Sequence, residues 1–495
     1  MTDLAGTAER IRGLLVAVLL VGGCASDPST PPPTAATDTA ATCRAVFRAL
    51  DERISAAGIR DGQSAPVPEF PYLRIDRLHA ALAPEATGPA FDAWVARLRD
   101  LDRRARRLEI ANLPSPNPAP AEDLDECAEV LRARDLSDPQ RRAALVGTTV
   151  KDAYQPWLRV LGLYPATAVP FLFGVRNLHR ETARAFATPL DDLPREGELT
   201  RYVPAPGATL DAAEVAMILA RAAANPLAIP DPEDEDLQAL FETFAPRFDI
   251  DSASAADLPG RPVIGTAAPT VAGQATVFTL RSFVRWRGQT LLQLNYVLWF
   301  PARPRESRLD LVSGNLDGIT WRVTLGMDGR PLLFDSMHNC GCYHKVFPTR
   351  RVVERRPRGF EEPLSVPQTA PEGSGAMVLR ISAGRHYLQR LDRVQPQASS
   401  GLPVRTYAFA DYDELRTLPR PGGGSRSLFR SDGIVAGTER RERWVFWPMG
   451  VPEPGAMRQW GHHAIAFVGR RHFDDPGLLE RYFRPAEDAG ESADR

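Results

Sequence analysis

The densest set of chemically capable side chains lies in DSMHNCGCYHKVFP, residues 335–348, where His338, Cys340, Cys342 and His344 occupy alternate positions. Imidazole and thiolate are standard zinc donors, held at about 2.0–2.3 Å from the ion. The spacing limits that chemistry. In an extended strand His338 and His344 stand about 20 Å apart at roughly 3.3 Å per residue, so one strand offers a single ion at most two neighbours. A second source of ligands is QWGHHAIAFVGRRHFDDP, which holds His462, His463 and His472. His462 and His463 are adjacent and point to opposite faces of a strand, so one of the two would join a given site. Asp335, Asp474 and Asp475 are available to hold such ligands from behind. One reading is therefore a zinc site drawn from His338, His344, His462 and His463. A Cys340–Cys342 disulfide or plain core packing is another, and a redox or catalytic thiol is a third. Gly341 bears on the choice, because it could break the strand into a compact loop and let the two cysteines approach.

The elements that must position this segment begin with a hairpin. Ile319, Trp321, Val323 and Leu325 alternate up to Asp328-Gly329, a two-residue turn signal. That turn sets Leu325 against Leu332, Val323 against Phe334 and Trp321 against Ser336. If the strand runs on, the His/Cys set continues the same face, which its apolar members mark as buried. Further β-rich runs are TVFTLRSFVRW and TLLQLNYVLWF around Arg287-Gly288, AMVLRIS and RHYLQRL around Ala383-Gly384, then VRTYAFA, RWVFWPM and HHAIAFVG. Asp475-Pro476 opens a short closing helix in DDPGLLERYF.

Before residue 250 the period is different. Cys43 to about Ala245 carries apolar residues at spacings of three and four, as in AFDAWVARLRDLDRRARRLEIANL, where Phe91, Trp94, Val95, Leu98, Leu101 and Leu108 form a stripe and the arginines face water. DAAEVAMILARAAANP is capped by Asp211, and DPEDEDLQALFETFAP places acids in its first turn. The expectation is an α+β protein: a helical domain over 43–250, a mainly antiparallel β-domain over 258–482, and a disordered tail over 483–495.

Other catalytic signatures are missing from the sequence: it has no G-x-S-x-G elbow, no H-E-x-x-H and no Walker loop. Asp310 and Asp317 sit in ordinary turn material. Tyr296, Trp299 and Phe300 read as sheet core rather than a cleft. A net charge of -2 gives no support for a nucleic-acid partner. Of 60 basic residues only Lys151 and Lys345 are lysine, a bias read here as that of a GC-rich genome.

The first residues, MTDLAGTAERIRGLLVAVLLVGGCASDPSTPPPTAAT, place Arg10 and Arg12 before a short apolar run that ends at Val21-Gly22-Gly23-Cys24. The run is too short for the roughly 20 residues a spanning helix needs, and it has the layout of a secretion signal. It resembles a bacterial lipoprotein signal. The resemblance implies cleavage after residue 23, lipidation of Cys24, a Pro/Thr/Ala-rich tether over 24–42 and attachment to the periplasmic face of the outer membrane. An envelope protein partner would fit that location. In such an oxidising space the four remaining cysteines are expected as Cys43–Cys127 and Cys340–Cys342. The functional expectation is a lipid-anchored envelope protein with a binding or structural role. Its rival is a zinc-dependent periplasmic hydrolase.

Overall fold

The computed structural model describes residues 38–114, 121–266, 268–356, 359–394 and 401–487. The signal, Cys24 and the tether to residue 37 lie outside the described residues. The tether's last part is helical instead, because Asp38 caps α1 (Thr39–Ala57) by accepting a hydrogen bond from the Ala40 amide.

Cys43, Phe47, Leu50 and Ile54 of α1 are buried at spacings of four, three and four. They pack with α2 (Pro89–Ala111) and α3 (Ala121–Asp135), and the Cys43–Cys127 disulfide joins α1 to α3 as expected. Helix α2 departs from expectation on one face. Arg99 and Arg106 are buried rather than solvated, because Asp102 receives both guanidinium groups, at 3.0 and 2.9 Å. The polar side of this helix is thus also an interior surface.

Ten strands form one mixed sheet. In chain order they are β1 (Glu198–Pro204), β2 (Arg247–Ser252), β3 (Thr276–Trp286), β4 (Gln289–Arg303), β5 (Gly314–Leu325), β6 (Pro331–His338), β7 (Lys345–Pro348), β8 (Met377–Ile381), β9 (Leu388–Arg393) and β10 (Val404–Asp411). Their order across the sheet is β7-β6-β5-β4-β3-β10-β1-β2-β8-β9. The first group, β7-β6-β5-β4-β3, is an antiparallel meander; in the last, β1-β2 and β8-β9 are antiparallel pairs joined by a parallel β2-β8 ladder. The two groups meet at β10, whose residues 404–407 pair with β1 and whose residues 408–411 pair with β3, both in parallel. The fold is α+β, as expected, but the stretch 43–250 is not purely helical: β1 and nearly all of β2 come from it and lie in the interior of the sheet.

The hairpins follow their turn chemistry. Arg287 and Gly288 both adopt positive φ, the backbone of a tight two-residue connection. Val323 faces Phe334 and Trp321 faces Ser336, whereas Leu325 meets Pro331, one residue off the expected partner, because the ladder slips between Pro331 and Leu333.

One face of the sheet packs on α4 (Tyr164–Ala187), α5 (Ala212–Ala222) and α6 (Asp234–Thr243). Asp211 and Glu214 form a capping box at the start of α5. The other face is covered by the C-terminal stretch, including Tyr412, Val435, Met457, Ile465, Phe473 and Tyr482. Two runs expected there as strands are not strands. RWVFWPM is a short helix, Arg443–Phe446, followed by a 3-10 turn, and HHAIAFVG is irregular with a single Ala464–His472 bridge. Pro448 and the positive-φ Gly450, Gly461 and Gly469 break both ladders. Phe483–Pro485, expected as tail, pairs with Val352–Glu354; residues 488–495 lie outside the described residues.

A buried ionic knot fastens the N-terminal helices to this C-terminal cover. Arg416 grips Asp61 at 2.9 and 2.7 Å, Gln459 donates to the same carboxylate, and the Asp61 amide donates to Glu109, which also pairs with Arg74.

Candidate functional site

Strand β6 stops at His338, and the segment that follows is a loop. The His338 amide donates to the Cys342 carbonyl at 3.0 Å and the Gly341 amide to the His338 carbonyl at 2.7 Å. Gly341 has φ +93°, and a Cβ there would stand 2.7 Å from the Ala464 carbonyl oxygen, so both its conformation and its neighbour require glycine. The side chain of Asn339 pins the loop from below, accepting from Thr320 and donating to the Leu298 carbonyl. The alternating face therefore ends here.

Cys340 and Cys342 carry free thiols, so the expected second disulfide is not formed. Within the turn the Cys342 amide donates to the Cys340 sulfur at 3.4 Å, which gives that sulfur a backbone partner. Contact with the Cys340 thiol, and then burial, push the Cys342 thiol far above its ordinary range.

The histidine segments do meet. His463 Nε2 lies 3.2 Å from the Asn339 carbonyl, and Ala464 sits on Gly341. The rings nevertheless turn to separate partners. His344 pairs with Asp335 at 3.0 Å, and Asp335 is held by Arg322. His338 lies 3.4 Å from Asp317, and His462 donates to the Gly62 carbonyl at 2.7 Å. His472 pairs with Asp152. Asp474 pairs with Arg77 and Asp475 caps Gly477, so neither backs a histidine. Among the described residues no three His, Cys, Asp or Glu side chains are placed so as to hold one metal ion. Burial holds His338 down to about 4 and His463 to about 3, so both are neutral rings.

Behind His338 runs a buried chain that the sequence did not reveal. Asp317, taken as turn material, lies between His338 and His386, and the other nitrogen of His386 faces Asp257 at 3.2 Å. Burial opposes charge on His386, but Asp257 and Asp317 outweigh it and hold the ring above its ordinary range. Phe300 stacks on this imidazole at 3.9 Å.

The loop opens onto a cavity of about 510 Å³, within the usual range for a small-molecule site. Its apolar wall is α4, through Phe171, Val175 and Leu178, with Phe446, Ile465 and Phe467 beside it. Its polar floor is Cys342, Tyr343, Lys345 and Tyr387, with Glu362 and Glu442 at the sides. Gly174 faces the cavity from the middle of α4, and a Cβ there would meet nothing within 4 Å. Lys345 is 5 % exposed, donates to the Tyr343 carbonyl at 3.3 Å, and lies 5.8 and 5.9 Å from the Tyr343 and Tyr387 rings. It makes no ion pair with a carboxylate among the described residues, and burial alone brings its amine down to about 8. Burial also pushes Glu442 up to about 7.

Outside the cavity the surface stays apolar. Phe173, Leu163, Leu161 and Val160 project from α4 and the short helix before it, and Trp444 projects from Arg443–Phe446, each more than half exposed. Phe446 packs against Phe171 and Phe467, linking these two helices at the cavity wall.

The sequence points to this site through the 340 segment, whose Cys340, Cys342 and His344 line the cavity, and through the rarity of lysine. Compared with known proteins, the chain matches no family model, no curated protein and no solved structure.

Proposed function

We propose that this chain is a lipid-anchored envelope protein that binds a small amphipathic molecule in the cavity beneath α4. The ligand's apolar body lies against Phe171, Val175 and Phe467, and its polar end faces Tyr343, Lys345 and Glu442. The observation that carries this reading is the cavity itself, with an apolar wall on one side and, on the other, buried Lys345 and Glu442, neither in an ion pair among the described residues. Burying an amine and a carboxyl without ion-pair partners is costly, and a ligand that supplies charged or polar partners recovers part of that cost.

Two further features support it. Gly174 leaves open space where a helix interior favours alanine, so packing within the chain does not call for glycine there. The exposed aromatic and aliphatic side chains around α4 form a surface from which an apolar ligand could be delivered. The N-terminal signal and the Cys43–Cys127 disulfide are consistent with an exported, oxidising location.

The test is titration of the purified mature protein with the apolar fluorophore N-phenyl-1-naphthylamine. Saturable binding at one site per chain is expected, lost in Gly174→Trp, which fills the cavity. Absence of saturable binding, or binding unchanged in a folded Gly174→Trp protein, would overturn the proposal.

A further inference from the structure

We infer that Lys345 is a nucleophilic amine that joins an apolar aldehyde or ketone held in the cavity as an imine. This deepens the binding reading and rests on it. Three observations converge. The amine is buried, it faces an open cavity, and among the described residues no carboxylate forms an ion pair with it. The chain uses arginine at every basic position except Lys151 and Lys345. A guanidinium stays charged at any working pH and cannot act as a nucleophile, whereas a desolvated lysine can. The floor thus carries lysine where a neutral amine has a use.

The chemistry balances without an outside oxidant or reductant. The Lys345 nitrogen bonds to the carbonyl carbon while the C=O π pair moves to oxygen, and a proton passes from nitrogen to that oxygen. The resulting carbinolamine loses its hydroxyl as water when a carboxylic acid protonates it. Glu442, on the same cavity and raised toward neutrality by burial, is the group for that step. The nitrogen's remaining proton returns to Glu442, and the products are one imine and one water. The apolar wall selects a carbonyl compound with a hydrocarbon body.

The experiment incubates the mature protein with decanal and sodium cyanoborohydride at pH 7, followed by peptide mapping. Decan-1-ol is the carbonyl-free control, and naphthylamine titration runs in parallel. Lys151 is exposed and serves as an internal reference amine away from the cavity. At pH 7 an amine brought down to about 8 holds on the order of 100-fold more neutral form than one at the ordinary lysine value. Reduced adduct is expected at Lys345 in that excess, absent with decan-1-ol and absent in a folded Lys345→Met protein. Adduct at Lys151 equal to or above that at Lys345, with fluorophore binding intact, would overturn the imine and leave the binding site standing. Loss of both in the wild-type protein would overturn both readings.

Discussion

Replacing Lys345 by methionine keeps most of the side-chain volume and removes an amine that the cavity buries with no ion pair to a carboxylate among the described residues. The amine titrates near its ordinary value, 10.5, in the unfolded chain and at about 8 in the folded one. Below pH 8 both states carry the proton, so folding must bury an ammonium group. The difference in pKa makes that burial cost about 3 kcal/mol. Between pH 8 and 10.5 the unfolded chain still holds a proton that the folded chain has released. Stability therefore rises with pH across this window, and above it the cost is gone. Lys345→Met is accordingly expected to be more stable than wild type by about 3 kcal/mol at pH 7, with the gap closing by pH 10.5. The Cys342 and Tyr343 groups, both pushed upward, also respond to alkaline pH, but they are common to the two proteins and cancel in the difference. Urea unfolding of both proteins at a series of pH values, with equal m-values, measures it. A gap that stays constant from pH 7 to 11, or a methionine variant less stable at pH 7, would refute the account of an unpaired buried amine.

Gly174→Ala should stabilise the unliganded protein by about 0.5–1 kcal/mol, since the added methyl meets open space and helix interiors favour alanine; thermal unfolding reads this directly. Asp61→Ala leaves Arg416 buried without its bidentate partner and should cost about 3–5 kcal/mol in chemical denaturation. Thiol titration of the denatured, unreduced mature domain lacking Cys24 should find two reactive groups, Cys340 and Cys342, and four only after reduction.

What could be read from the sequence was what is local. The capping box of α5, the Arg287-Gly288 connection and the pairing of Trp321 with Ser336 each follow from a few neighbouring residues. The 340 loop was half legible, because Gly341 allowed either a continued strand or a turn, and the Ala464 carbonyl that forces the turn lies more than a hundred residues away. The buried arginines of α2 depart from the expected solvated face because a polar stripe ordinarily faces water, and only the packing of α1 and α3 around it, with Asp51 against Arg106 and Asp125 against Arg99, makes that stripe interior. The cavity could not be seen at all. Its walls come from α4, the 340 loop, residues 362–365, 442–455 and 464–471, and no single segment carries the pattern. In RWVFWPM and HHAIAFVG, β-prone residues suggested ladders, while the nearby proline and positive-φ glycines decided for loops.

The cross-link between Cys43 and Cys127 falls just past the first turn of α1. A pull on the chain from its N-terminal side would therefore reach a covalent bond before unwinding much of that helix. The load would pass sideways into α3 and then into the packed body. A molecule built this way can be tugged by its leading end without its first helix peeling away, and reduction of that single bond would remove the resistance.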